Sequence, residues 1–241
     1  MAGSLWLFAS NLGQTDFAAI RALFGRIWFW RSLWLSVFTA TVTTALAVLL
    51  GIPAAYALSR FRFRGRIAAG VLLDAVLVLP ASTIGLTLMV VLQYPPILAW
   101  QDALGFRVVH SLAAVVLAQL VLALAFGIQA FRAAFDSEDP HCEHVARTLG
   151  SSRTRTFLTV TLPLAKNGIL AGIVLAWTRA LAEFGAVLLV AGTFRARDGA
   201  QFSALSRALG LANADLLSVG MWMEIEGGRT EQGVAIAFVL V

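Results

Sequence analysis

His141-Cys142-Glu143-His144 is the densest run of ligand-type side chains in the sequence. Imidazole, thiolate and carboxylate together are zinc chemistry. On a helix, however, neighbouring residues diverge by about 100°. Four in a row therefore cannot converge on one ion without ligands from elsewhere, and no metal or cofactor is expected. Arg179 and Glu183 form a second candidate pair, opposite charges four residues apart in an apolar run, placed to pair on one helix face. Charge inside lipid is costly and marks function by default, yet a purely structural ion pair has the same spacing. Asp74 stands roughly two turns inside another apolar run (3.6 residues per turn), where it either snorkels or pairs with a loop arginine. No G-x-x-x-x-G-K-[ST] phosphate loop, H-E-x-x-H or G-x-S-x-G occurs, and Lys166, the only lysine, sits in AKNG. These absences count against ATP binding in the P-loop manner and against an intramembrane hydrolase.

The elements that must hold these residues are apolar. The 241 residues are 59% hydrophobic and 13% charged, with a mean hydropathy of +0.83. A soluble domain carries about 25% charged residues. The net charge of +5 is scattered over short loops, which excludes a nucleic-acid stripe and reads as membrane topology. A membrane-spanning helix needs about 20 apolar residues. Runs at 32–59, 67–92, 111–131 and 168–191 qualify, and a partial one covers 234–241, which suggests a chain that ends inside its last span. Pro80 and Gly85 are placed to break the second span, and Gly185 allows close packing in the fourth.

Arginine counts orient the spans. Arg60, Arg62, Arg64 and Arg66 crowd the first loop; Arg132, Arg147, Arg153, Arg155 and Lys166 occupy 132–166; the loop between holds only Arg107. Residues 60–66 and 132–166 are thus expected inside the cell, with 93–110 and about 192–230 outside. Residues 1–31 are then an aromatic and basic segment, either interfacial (FAAIRALFGRIWFW, 17–30) or the site of a missing or short first span. Ser203–Leu211 and Leu216–Ile225 are expected as short helices lying against the membrane.

Within 132–166 lies EHVARTLGSSRTRTFLTVTLPL, polar sequence between lipid-seeking runs. Ser137 or Asp139 followed by Pro140 starts a helix. Cys142, Val145, Ala146 and Leu149 recur at helical spacing as an apolar face, with Glu143, His144, Arg147 and Thr148 opposite. Gly150 supplies a left-handed terminus, Ser151 or Ser152 caps a second helix, and Pro163 bends or stops it. The expected product is a two-helix elbow on the cytoplasmic surface, apolar face inward and charged face outward.

Gly150, nine residues, Val160, one residue, then Leu162-Pro163 resembles the EAA loop of ABC-importer permeases. His144 stands at that motif's glutamate position, with Val145 and Ala146 for its alanines and Glu143 one residue earlier. ARTLGSS, FLTVTLPL, LAGIVLAWTRALAEFGAVLLVAG, GIPAAYALSR and VLPASTIGLTL extend the likeness to the molybdate/tungstate permeases, with sulfate permeases as close relatives. The resemblance implies an all-α polytopic transmembrane helical bundle of the type-1 ABC importer fold over 32–241, in the plasma membrane of a bacterium or archaeon. It implies a transport subunit that is not itself an enzyme, a homodimer served by an ABC ATPase that hydrolyses the ATP and by an extracytoplasmic oxyanion-binding protein, with no nucleic acid partner. Glu143, His144, Ala146, Arg147, Leu149, Gly150 and Pro163 would couple to the ATPase. Thr41, Thr44, Asp74, Pro80, Ser82, Thr83, Arg179, Glu183 and Gly185 are pathway or gate candidates. For an anionic substrate the hydroxyls, Thr43 included, suit lining better than the carboxylates, and they equally suit helix contacts. A secondary transporter would need an ion-coupling site and often inverted repeats, neither of which is visible; a non-transporting scaffold gives no reason for the elbow's spacing.

Overall fold

The computed structural model describes residues 24–103, 105, 108–109, 111–192, 216–228, 232–234 and 236–237, and among these the regular elements are all helices. They are α1 (Ile27–Arg60), α2 (Arg66–Val78), α3 (Ala81–Leu92), α4 (Pro95–Ala103), α5 (Leu112–Asp136), α6 (Pro140–Thr148), α7 (Arg153–Leu164), α8 (Lys166–Leu181), α9 (Gly185–Ala191) and α10 (Leu217–Glu226). By length and composition α1 and α5 can each cross a membrane alone, and the pairs α2–α3 and α7–α8 qualify when each is taken together.

All four expected full-length spans change in extent or shape. The first begins at Ile27 rather than Ser32, because Arg31 is exposed and nothing there interrupts the helix. Phe29 consequently is not interfacial: it is fully buried beside Leu217 and Ile236. The second span is cut at Leu79–Pro80. Leu79 is extended (φ −67°, ψ 140°), as a residue before proline prefers, and α3 starts afresh after it. Gly85 makes no break there; it serves close packing. The fourth span is cut between Leu181 and Gly185, so no single helix face carries both Arg179 and Glu183. The third runs five residues further than expected, to Asp136, because Phe131 and Phe135 continue its buried face. The expected outer helix is present as α10, but Leu217, Ser218, Val219, Gly220 and Glu224 are buried rather than laid against a membrane surface. Arg21, Arg107, Ser203–Leu211 and 238–241 lie outside the described residues.

The described residues fall into two compact units. One draws on the chain up to Thr39, Ala81–Val115 and Leu181 onward; the other on Ala40–Pro80 and Val116–Ala180. In the first, α3 meets α9 so closely that a Cβ on Gly85 would lie 2.6 Å from Ala186 Cα and 2.9 Å from its carbonyl oxygen. Small residues permit such approach, and in lipid this packing replaces the hydrophobic drive. The Leu217 N–H donates to Ser36 Oγ at 2.7 Å, which fixes the start of α10 on α1. Gln101, buried in α4, donates to the Leu92 carbonyl (3.0 Å) and accepts from the Val108 N–H (2.9 Å), closing the α3–α5 connection on itself.

The second unit is centred on Phe131 and Phe135 of α5, packed with Ala55 and Leu58 of α1 and Ile169 of α8. Tyr56, Phe135 and Phe157 form an aromatic triad, with centroid separations of 4.7 Å for Tyr56–Phe157 and 5.6 Å for Tyr56–Phe135. This triad is the seat of the elbow, joining the ends of α1 and α5 to α7.

Candidate functional site

The elbow is built by local rules. Asp139 caps α6 by accepting the His141 N–H at 2.8 Å, with Pro140 in the first turn where its missing N–H costs nothing. At the other end the Gly150 N–H donates to Arg147 O (3.0 Å) and the Ser151 N–H to Ala146 O (3.1 Å). That pair is the Schellman pattern, and Gly150 occupies its left-handed position with φ +90°. Ser152 then caps α7, accepting from the Arg155 N–H at 3.3 Å. Of the paired alternatives in the sequence, Asp139 and Ser152 make these bonds.

Downstream, α7 widens into a π-helical turn over Phe157–Thr161 before Pro163. Such turns insert an extra residue into the hydrogen-bond ladder, and here the widened turn sits directly ahead of the proline. The chain then bends by 78° at Ala165 between α7 and α8.

The face that α6 turns inward is the reverse of the expected one. Glu143 is buried, its Oε1 accepting from Arg60 Nε at 2.8 Å and its Oε2 from the Tyr56 hydroxyl at 3.0 Å. Arg60 also donates to the Glu138 carbonyl at 3.0 Å. Val145 and Leu149 are instead 44% and 83% exposed, and Cys142 is exposed. The reason is electrostatic. Arg60 ends α1 inside a partly buried pocket and requires a counter-charge, and Glu143 is the carboxylate within reach. His144 and Arg147 remain exposed beside Val145 and Leu149, and Ala146 is half-buried. The outward face is thus apolar with a cationic margin. Tyr56 is not among the residues singled out from sequence, and Arg60 is read there only as a topology marker; Arg60 lies 83 positions from Glu143, and no local pattern links them.

The pathway candidates separate. Thr43 donates to Gln119 Oε1 (3.0 Å), tying α1 to α5, and Thr44 bonds back to the Ala40 carbonyl (2.7 Å) within α1, and both are buried. Thr41 accepts from Trp177 Nε1 at 3.2 Å. Asp74 is exposed and accepts from the Gln129 amide, while lining a cavity with Arg64 and Arg132. Arg179 lies over the Phe126 ring, 5.5 Å from its centroid, a cation–π geometry. Glu183 is 1% exposed, and its Oε1 accepts the Ala186 N–H at 2.9 Å, satisfying the first turn of α9. Its carbonyl accepts from Ser218. Gly185 packs against the start of α3, where an added Cβ would lie 3.2 Å from Ser82 N. Ser82 and Thr83 are exposed in that first turn. Among the described residues no group of three or more His, Cys, Asp or Glu is placed to hold a metal ion.

Apolar helices of spanning length joined by a capped, polar two-helix elbow define an integral membrane protein. The chain belongs to the family of binding-protein-dependent transport system inner membrane components, whose sequence profile matches residues 47–223. It is 39% identical over 156 residues to the molybdate/tungstate transport system permease protein of Pyrococcus furiosus, a match covering 65% of this chain and 58% of that protein. A probable molybdenum ABC transporter permease protein of Haloferax volcanii is 44% identical over 156 residues, covering 65% and 57%. The molybdenum transport system permease protein of Escherichia coli is 34% identical over 161 residues, covering 66% and 70%. The chain thus spans under two thirds of the length of the archaeal relatives it matches. Its fold is that of a chain in the crystal structure of a bacterial ABC transporter involved in the import of the acidic polysaccharide alginate, with a TM-score of 0.70 and 15% identity over 99% of this chain and 87% of that one.

Proposed function

We propose that the chain is the permease subunit of an ATP-driven ABC importer, forming with a second copy the pathway for an oxyanion of the molybdate or tungstate class. An extracytoplasmic binding protein delivers the anion, and an ATPase subunit docks on each elbow. The observation that carries this reading is the outward face of α6: Val145 and Leu149 exposed beside His144 and Arg147, on a helix anchored from behind by Glu143. An exposed apolar patch with a polar margin is an interface signature. The Arg60–Glu143 tie makes the elbow rigid with the end of α1, so a push on α6 reaches a spanning helix directly. The relatives named for molybdate and tungstate support the substrate class. In the pathway the exposed Ser82 and Thr83 are the hydroxyls left to meet an anion, and Glu183 is a structural cap.

Leu149→Glu tests this. Leu149 is 83% exposed and packs little within the chain, so the variant should insert and fold normally. Co-purification with the ATPase and ATP-dependent molybdate uptake should both be lost. Uptake that persists in the variant, or that follows an ion gradient without ATPase, overturns the reading.

A further inference from the structure

The elbow and the α1–α2 loop together wall a cavity of about 320 Å³. Five arginines line it, Arg60, Arg62, Arg66, Arg147 and Arg153, against one carboxylate, Glu143. Glu143 is committed to Arg60 at 2.8 Å. No carboxylate among the described residues pairs with the other four arginines. Arg62, Arg147 and Arg153 are exposed and Arg66 is half-buried, so water screens part of their mutual repulsion, and an anion between them would lower it further. Thr156 also borders the cavity, but it is 1% exposed and its hydroxyl is turned away from that space, without a hydrogen-bond partner among the described residues.

We propose that this cavity binds a tetrahedral oxyanion, the phosphate type of group. Planar guanidinium forks bind phosphate-like oxygens in bidentate fashion. Here the forks come from three segments, the end of α1 with its loop, the start of α2, and the elbow, so they engage oxygens pointing in several directions. At about 30 Å³ per water, the volume accommodates such an anion with part of its hydration shell. Bound there, the anion ties Arg62 and Arg66 to Arg147 and Arg153 and braces the elbow at a second place beside the Arg60–Glu143 pair. Occupancy on the side of the elbow would then set how freely α6 moves. Two sources carry the same chemistry, a free inorganic oxyanion or the headgroup phosphate of an anionic lipid. The site does not rest on the docking role, because its test needs no ATPase.

The full chain in a maltoside detergent is titrated with inorganic phosphate and with sulfate against sodium chloride of equal ionic strength, and thermal unfolding is followed. Parallel samples receive phosphatidylglycerol or phosphatidylcholine. A saturable rise in unfolding temperature of roughly 5–10 °C at a hundredfold excess over Kd is expected. Arg62→Gln/Arg66→Gln should abolish it. If the double Gln variant does not fold, Arg62→Lys/Arg66→Lys keeps the charge and should still bind roughly tenfold more weakly, having lost the forks. A rise with phosphate and sulfate assigns the free anion, and one confined to phosphatidylglycerol assigns the lipid headgroup. No rise with any of them, or a rise unchanged in these variants, overturns the proposal.

Discussion

Arg60 Nε stands 2.8 Å from Glu143 Oε1, with both side chains only 12% exposed, and this pair fastens the last residue of α1 to the first turn of the elbow. Truncating either partner leaves the other charge partly buried and uncompensated. In a double-mutant cycle with Arg60→Met and Glu143→Leu, the coupling should be about 1.5–3 kcal/mol, as expected of a charged hydrogen bond. Denaturant unfolding of the purified chain measures it. Strict additivity of the two single changes would remove the pair from the account of how the elbow is held.

At Gly150 the requirement is conformational. Its φ is +90° and a Cβ there would touch nothing within 4 Å. A β-branched side chain is strained at that angle, whereas asparagine tolerates it, with the left-handed region costing about 1–2 kcal/mol for ordinary residues. Gly150→Val should therefore reduce ATPase co-purification and uptake well below Gly150→Asn. Equal behaviour of the two would show that the turn's backbone geometry is unimportant.

Gly85 answers to a different constraint, lack of space. A methyl group there would meet the Ala186 backbone at 2.6 Å, and overpacking of this kind costs about 1–3 kcal/mol. Gly85→Ala should lower the unfolding temperature. Gly70→Ala, where the nearest atom is 3.9 Å away on a flexible arginine, should be neutral or slightly stabilising. The contrast between the two glycines is what unfolding in detergent would read.

Glu183 offers an oxygen to the Ala186 N–H at 2.9 Å, and glutamine retains one. Glu183→Ala should cost about 1–2 kcal/mol, the range of a lost helix cap, and more than Glu183→Gln. Were Glu183→Gln as damaging as alanine, the carboxylate charge itself would be required and a pathway role would return.

Cys142 is the only cysteine and is exposed on α6. A membrane-impermeant maleimide should label it in inverted vesicles and not in right-side-out ones, and added ATPase should protect it. Labelling from the outer side would reverse the proposed topology.

Much of the elbow was legible beforehand because its determinants are local. Asp139, Pro140, Gly150 and Ser152 act on backbone groups within five residues of themselves. The proline at position 80 was likewise readable as a break. The orientation of α6 was not. Its apolar periodicity pointed Val145 and Leu149 inward, and the structure turns Glu143 inward instead. Arg179 and Glu183 looked like one helical pair only while the apolar run around them was taken as a single helix; α8 ends at Leu181.

By itself, then, the sequence determined an all-helical membrane chain, the capped elbow and the residues where helices bend, since hydropathy, capping and proline act over one or two turns. The tertiary structure decided which side of the elbow is free, where Glu183 spends its charge, and that five arginines from separate segments line one cavity with Thr156. Those outcomes depend on charges and backbone groups brought together by folding, from as far as 83 residues away in the case of Arg60 and Glu143. Pairing over that distance leaves no periodicity to read, because only folding brings the partners together.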